Sequence, residues 1–262
     1  MKRRIIALSI VALSGLGLAF MDNALLYPVA AYREGNEPSY TVLLLHMDGT
    51  NNQTVFTDSS GSAKTLTTVG AGVKITTTGP FFGTGILTNN GTNAGMTLVQ
   101  SADFDFGAGD FTIDFWIKPE GTQPANKGNL FCKAASVSAI GPLGLAVTNG
   151  TTQKLCLYMS SNGSTFNIIN ATFCGTLTSN AWTHVELSRY AATNLYCFTN
   201  GILSLSTTIT NLSLYATSAT TLIAFGNYVN SALMGYLDEY RVTKGLCRHT
   251  ANFTTNKASY GE

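Results

Sequence analysis

The chain has 262 residues, of which 45% are hydrophobic and only 11% are charged, so it can bury a large core and does not have the composition of a disordered chain. Its 15 basic and 14 acidic residues nearly cancel, giving a net charge of +1 without a basic stripe. This balance argues against nucleic-acid binding, which needs a concentrated positive surface.

Residues 1–20 start with a basic head and continue as an apolar run. This form is typical of a secretory signal peptide, and the second interpretation is an apolar arm retained for docking into an assembly. The run is shorter than the roughly 20 residues that a spanning helix needs, so no stable membrane span is expected. Residues 21–39 lack periodicity and include Pro28 and Pro38, which predicts a linker.

From residue 40 onward, short apolar or alternating runs recur between Gly, Asn, Ser and Asp clusters, and no helix-length window has an apolar period of 3.6 residues. This pattern predicts one antiparallel two-sheet domain over residues 40–256, followed by a tail at 257–262. The clearest predicted strands are 40–47, two within 64–78, 111–119, 154–161, 165–170, 182–190, 194–199, 202–208 and 234–242. Asn162-Gly163 and Asn200-Gly201 are predicted hairpin turns, because Asn-Gly accepts positive φ.

The strand at 111–119 alternates most regularly, so Asp114 and Trp116 are expected on the face opposite its apolar residues. Together they could contact a sugar, which makes them candidate ligand-binding residues. The alternative is that Trp116 packs inside the sandwich while Asp114 bonds a cross-strand neighbour. Asn227 and Tyr228 are further candidate ligand-binding residues in a predicted rim loop.

The five cysteines have no CxxC pairing, which argues against a zinc site. Most of them lie in apolar runs, so we expect buried free thiols that pack as small hydrophobic groups. The alternative is one disulfide among the strands that carry Cys132, Cys156 and Cys197.

Several segments, in this order and spacing, resemble the laminin-G-like, concanavalin A-like lectin/glucanase superfamily. They are LLLHMDGT at 43–50, FTDSSGSAKT at 56–65, SADFDFGAGDFTIDFWIKP at 101–119, WTHVELSR at 182–189, LYCFTNGIL at 195–203, and GYLDEYRVTKG with RHTANFT at 235–254. The resemblance implies an all-β, two-sheet antiparallel jelly-roll sandwich, here with an N-terminal apolar segment.

The resemblance also implies a structural calcium ion between the early strand and the last one, held by Asp238 together with Asp48 or the backbone at Gly49. Carboxylate and carbonyl oxygens suit calcium, and Asp58 is a weaker candidate ligand. The alternative is that Asp48 serves a turn and that Asp238 pairs with Arg241 or Lys244.

Catalytic members of the superfamily carry Glu-x-Asp-x-x-Glu on one strand, and none of the glutamates has that spacing. We therefore expect a non-catalytic module whose partners are other subunits of an assembly or cell-surface glycans. The segments TDSSG and RVTKGLCRHTANFT resemble those of phage structural and bacterial surface proteins, which favours a virion decoration or fibre protein at the virion surface. The alternative is a secreted or cell-surface bacterial lectin, and a glycoside hydrolase ranks third.

Overall fold

The computed structural model describes residues 39–91, 94–123, 128–134, 139–148, 152–210, 213–225 and 232–261. Within these ranges the chain forms strands joined by loops and one 3-10 turn at Ala102–Phe104. The strands are β1 (Thr41–Leu45), β2 (Leu66–Val69), β3 (Val73–Thr76), β4 (Ile86–Asn90), β5 (Gly95–Leu98), β6 (Phe111–Pro119), β7 (Gly128–Lys133), β8 (Leu143–Val147), β9 (Lys154–Met159), β10 (Ile169–Thr176), β11 (Thr183–Tyr190), β12 (Asn194–Thr199), β13 (Ile202–Thr208), β14 (Thr221–Phe225) and β15 (Met234–Lys244).

Two antiparallel sheets form the domain. The first sheet has the order β13-β12-β11-β6-β15-β4-β3, with β1 also paired to β15, and the second has the order β10-β9-β8-β7-β14-β5-β2. The predicted all-β, two-sheet architecture is therefore confirmed. The apolar segment at 1–20 and the linker up to residue 38 lie outside the described residues.

The core lies between the sheets, and β6 shows why the sequence folds this way. Phe111, Ile113, Phe115 and Ile117 are fully buried in it, as their alternation predicts. The ring of Phe115 stacks on that of Tyr240 at 5.1 Å. Apolar burial of this kind is the main favourable contribution to the stability of the domain.

The residues predicted to form two strands within 64–78 do so, but the strands belong to different sheets. β2 pairs with β5 in the second sheet, whereas β3 pairs with β4 in the first. The chain thus crosses between the sheets at 70–72, where Gly70 has a φ of 74° that favours glycine.

Of the two predicted Asn-Gly hairpins, the one at Asn200-Gly201 is confirmed. These residues have φ values of 52° and 75° and join β12 to β13. At Asn162-Gly163 the hairpin is confirmed, because β9 pairs with β10, but the predicted tight turn is wrong, because β9 ends at residue 159 and β10 begins only at residue 169. Asn162 Oδ1 instead accepts hydrogen bonds from the backbone N–H groups of Ser164 and Thr165, which closes a local turn inside a longer loop.

The longest strand, β15, shares one of its edges between two partners. β6 pairs along the other edge, while β4 pairs with the first part of β15 and β1 with the last part. The register against β6 shifts between Asp238 and Arg241, and Glu239 has a positive φ of 47°. This bulge lies where β4 ends and β1 begins, so the side chains there point into a gap between two strands.

No helix of the described residues is both long enough and apolar enough to pass through a membrane.

Tyr240 provides a test of the packing between the sheets. Its hydroxyl donates to the carbonyl of Leu130 in the opposite sheet at 3.1 Å, and its ring is fully buried. We expect Tyr240→Phe to lower the free energy of unfolding by about 1–2 kcal/mol, because a buried acceptor loses its donor. Tyr240→Ala should cost about 3–5 kcal/mol, since it also leaves a cavity. Urea denaturation measures both, and a Tyr240→Phe variant as stable as the wild type would contradict the inter-sheet bond.

Candidate ligand-binding surface

The outer face of the first sheet carries the polar residues that alternate with the core residues of β6 and its neighbours. Backbone register places them in rows across β15, β6 and β11. Each row has its residue on β15 first, then the one on β6 and then the one on β11. From one end of the sheet to the other, the rows are Tyr236 with Lys118, Asp238 with Trp116 and His184, Arg241 with Asp114 and Glu186, and Thr243 with Thr112 and Ser188. Asp114 and Trp116, both predicted from sequence to share a face, are therefore two residues apart at the centre of this surface.

Asp114 is buried in an ion pair with Arg241. The guanidinium donates through Nε to Oδ1 at 3.0 Å and through a terminal nitrogen to Oδ2 at 2.6 Å. Burial alone would raise the pKa of Asp114, but the Arg241 charge and the hydrogen bond with His184 hold it well below its ordinary value. This carboxylate is a bonded, ionised part of the sheet with 1% of its surface exposed.

Glu186, the cross-strand neighbour of Asp114, is also 1% exposed. It accepts a 2.6 Å hydrogen bond from the Ser188 hydroxyl and lies 2.6 Å from His249 Nδ1. Its carboxylate is therefore occupied by protein groups, as that of Asp114 is.

The segment after β15 covers these two carboxylates. The Tyr260 hydroxyl lies 3.0 Å from His184 Nε2, and the Arg241 guanidinium lies 4.0 Å from the centre of the Tyr260 ring. His249 stacks on Phe253 at 3.5 Å between ring centres. We call the set Asp114, His184, Glu186, Arg241, His249 and Tyr260 the polar cluster. The C-terminal segment covers its two carboxylates, which are each 1% exposed.

Beside the polar cluster lies a set of aromatic rings that we call the aromatic patch: Phe81, Phe82, Trp116, Trp182 and Tyr236. Phe81 lies 4.8 Å from Trp182 in a stacked arrangement and 4.7 Å from Trp116. Trp182 lies 6.4 Å from Tyr236, and the Lys118 ammonium is 4.9 Å from the centre of the Tyr236 ring.

Two properties distinguish the aromatic patch from core packing. Phe81, Phe82, Trp182 and Tyr236 are half-buried, so their faces and edges reach the surface. The Nε1–H of Trp116 is buried beneath Phe81 and Phe82 and has no acceptor. Rings of this kind combine a flat apolar face with polar edges, and an indole N–H usually finds a partner when it is buried.

The predicted metal ligands meet at the rim, in the gap between β1 and β4. Asp238 Oδ2 accepts the backbone N–H of Phe82 at 2.9 Å, and Asp48 Oδ1 accepts the N–H groups of Thr84 and Gly85. Asp48 and Asp238 are thus brought to one loop, 82–85, from opposite ends of the chain.

The environment at this rim disfavours the charged form of Asp238. Burial raises the pKa of Asp238 to about 8, and the charges of Glu239 and Asp48 act in the same direction. Glu239 is itself buried beside His46, whose Nδ1 lies 3.0 Å from Oε2, and it accepts the N–H of Tyr260 at 2.8 Å.

The carboxylate oxygens at this rim are ligands that suit a hard cation, but they supply only part of the number of ligands that such an ion needs. Among the described residues there is no group of three or more His, Cys, Asp or Glu side chains arranged to hold a metal ion. Calcium takes about six to eight oxygen ligands, so backbone carbonyls and water would have to supply most of them. Asp238 and Asp48 could each provide a carboxylate oxygen that now accepts a backbone N–H.

The remaining predicted residues lie elsewhere. Asp58, the weaker candidate ligand, accepts the backbone N–H groups of Leu44, Ser60 and Lys64, and its two oxygens are thereby engaged. Arg241 pairs with Asp114 rather than with Asp238. Asn227 and Tyr228 lie outside the described residues.

The residues that sequence reasoning missed are Phe81, Phe82, Trp182 and Tyr236 around Trp116, and His249 with Tyr260 over the polar cluster. A usable signal existed for Trp182 and Tyr236, because they stand two residues before His184 and Asp238. Tyr236 lies on β15 and Trp182 directly precedes β11, and both strands pair with β6. No local pattern identified the others, since they come from loops whose position depends on the whole fold.

The fold and this surface define the class of the protein: a β-sandwich with a polar and aromatic outer sheet face. Residues 90–247 match the family model of the concanavalin A-like lectin/glucanases superfamily, which is more than half of the chain. The chain belongs to this superfamily. No curated protein sequence matches it.

Solved structures with the same fold are distant in sequence. The binding domain of Paraclostridial Mosquitocidal Protein 1 has 18% identity and a TM-score of 0.61, and it covers 80% of this chain and 50% of its own. The binding domain of botulinum neurotoxin serotype G has 19% identity and a TM-score of 0.57, covering 79% and 49%. Domain 4 of the extracellular arabinanase AbnA from Geobacillus stearothermophilus, in complex with arabinotriose, has 16% identity and a TM-score of 0.56, covering 79% and 94%. The chain thus spans about half the length of the two toxin domains.

The raised pKa of Asp238 predicts a pH dependence of stability. The folded state holds this proton up to a pH of about 8, whereas the unfolded chain releases it near 3.8, so the stabilisation is complete below 3.8 and is lost as the pH rises towards 8. In buffers with chelator, the free energy of unfolding of the wild type should fall between about pH 4 and 8 relative to that of Asp238→Asn, which cannot titrate. Urea melts at several pH values measure this difference, and two parallel curves would refute it.

Proposed function

We propose that the chain is a non-catalytic carbohydrate-binding module and that the aromatic patch is its binding surface. The observation that carries the proposal is the half-buried group of rings around Trp116, whose faces and edges reach the surface. Sugar rings present apolar C–H faces and hydroxyl edges, which suit stacking on aromatic faces beside hydrogen-bonding groups.

Polar groups at the edge of the aromatic patch support the same proposal. Lys118 lies against Tyr236 and 3.7 Å from Glu120, so a cation, a carboxylate and a phenol hydroxyl meet at one border of the rings. Burial and then the Glu120 carboxylate raise the pKa of Tyr236, so its hydroxyl remains a hydrogen-bond donor at neutral pH. The bound arabinotriose of the AbnA domain, which has the same fold, supports the ligand class.

The absence of catalysis is part of the proposal and rests on the polar cluster. Glycoside hydrolysis needs one carboxyl group protonated as a general acid and a second one free to act on the sugar or on water. Asp114 and Glu186 are adjacent on the outer face, but Asp114 is held ionised by Arg241, and both are covered by the C-terminal segment. Neither carboxylate can reach a scissile bond in this arrangement.

The proposal also includes the place where the module acts. The resemblance of its flanking segments to phage structural proteins supports display on a virion, as a decoration or fibre, with other subunits as partners. Secretion as a bacterial lectin is the alternative. Mass spectrometry of the protein from its native source distinguishes them: a start near Phe20 is expected only after signal cleavage.

Glycan binding is tested on an array that includes arabino-oligosaccharides, followed by titration calorimetry on any ligand found. We expect Trp182→Ala and Tyr236→Ala each to weaken binding about tenfold, which corresponds to about 1.4 kcal/mol for a lost ring contact. Phe173→Ala is the matched control, because this 55% exposed ring lies on the second sheet and should leave affinity unchanged. If the control weakens binding as much, or if no glycan binds, the proposed surface is wrong.

For calcium, we propose that Asp48 and Asp238 hold one ion that neutralises the charge at the rim. EDTA should then lower the melting temperature of the wild type, and excess calcium should restore it. Asp238→Ala should abolish this sensitivity, whereas Asp103→Ala, which removes a surface carboxylate paired with Lys64, should retain it. A melting temperature that chelation does not change would show that no ion contributes.

A further inference from the structure

Two of the five cysteines lie on strands of opposite sheets that contact each other. Cys174 lies on β10, an edge strand of the second sheet, and Cys197 lies on β12, next to the edge of the first. Both are fully buried in the same hydrophobic core, and the two strands are in contact.

The approach of β10 to β12 is close at this point. A Cβ added to Gly175, the neighbour of Cys174, would lie 2.8 Å from the Thr199 methyl group on β12. The neighbouring Cys174 thiol and burial raise the pKa of Cys197 well above its usual value. The Cys197 thiol is therefore neutral once the protein is folded.

The other cysteines are not arranged in this way. Cys132 and Cys156 lie on β7 and β9, on either side of β8, and both are outside the main core. Cys156 donates to the Tyr158 hydroxyl at 3.3 Å. The sequence-based alternative, a disulfide among Cys132, Cys156 and Cys197, therefore joins residues that the fold separates.

We propose that Cys174 and Cys197 form a disulfide that links the two sheets when the chain folds in an oxidising thiol–disulfide pool. The two thiols lose two protons and two electrons to oxidised glutathione. Its S–S bond breaks to give two molecules of reduced glutathione, and one new Sγ–Sγ bond forms through a mixed disulfide. The reaction belongs to folding, when the thiols are still accessible.

The link closes a loop of moderate length across the core, so it restricts the unfolded chain. A disulfide of this span should raise the melting temperature of a domain of this size by about 5–10 °C.

The test refolds the full, reduced chain in a glutathione redox buffer and alkylates the remaining thiols under denaturing conditions. Trypsin cleaves between the two cysteines at Arg189, and chymotrypsin cleaves after Phe166, which separates Cys174 from Cys156. Mass spectrometry should find the Cys174 and Cys197 peptides linked. Three of the five cysteines should be alkylated. The melting temperature should fall by about 5–10 °C after reduction.

Variants separate the link from simple packing. Cys174→Ala and Cys197→Ala should each remove the linked peptide and the dependence of the melting temperature on reductant. Cys156→Ser, the matched control, should keep both, even if it lowers stability. The proposal is overturned if all five thiols of the refolded wild type are alkylated, or if a different pair is linked.

Discussion

The pairing of β15 with its neighbours is the constraint on which the molecule depends. One strand is bonded along its full length to β6, and its other edge is divided between β4 and β1, which come from the start of the domain. The register of β15 against β6 shifts between Asp238 and Arg241, at the level where β4 ends and β1 begins, and the polar residues there lie between these two partners. The same strand also sets the rows that place Trp116 and Asp114 at the centre of the outer face.

The architecture was predictable because alternation and turn chemistry are local. Phe111 to Ile117 reveal an inside and an outside without knowledge of any partner strand, and Asn200-Gly201 specifies its turn by backbone preference alone. The tight turn predicted at Asn162-Gly163 is wrong because the Asn162 side chain accepts nearby backbone N–H groups. Nothing in the adjacent apolar runs reveals that this local bond prevails. The assignment of β2 and β3 to different sheets was likewise beyond reach, because the pattern of a strand does not name its partner.

The surface was predictable only in part. Periodicity identified Asp114 and Trp116 as neighbours on one face, and family resemblance brought Asp48 and Asp238 together. Phe81, His249 and Tyr260 come from loops, and their contacts exist only after β4, β11 and β15 have been placed. Their contribution is large: the loop rings make Trp116 part of an aromatic surface, and Tyr260 turns a pair of adjacent carboxylates into a covered ion-pair cluster. The chemistry of this face is therefore decided by segments that carry no strand signal.

The antiparallel contact between β1 and β15 also has a mechanical consequence. Thr41 pairs with Thr243, so the chain enters and leaves this pair of strands at the same end. Tension applied across the domain would first draw Tyr260 away from the sheet and then peel β1 from β15 one residue at a time, rather than shearing all their bonds at once. In this geometry the bonds between β1 and β15 carry the load one after another.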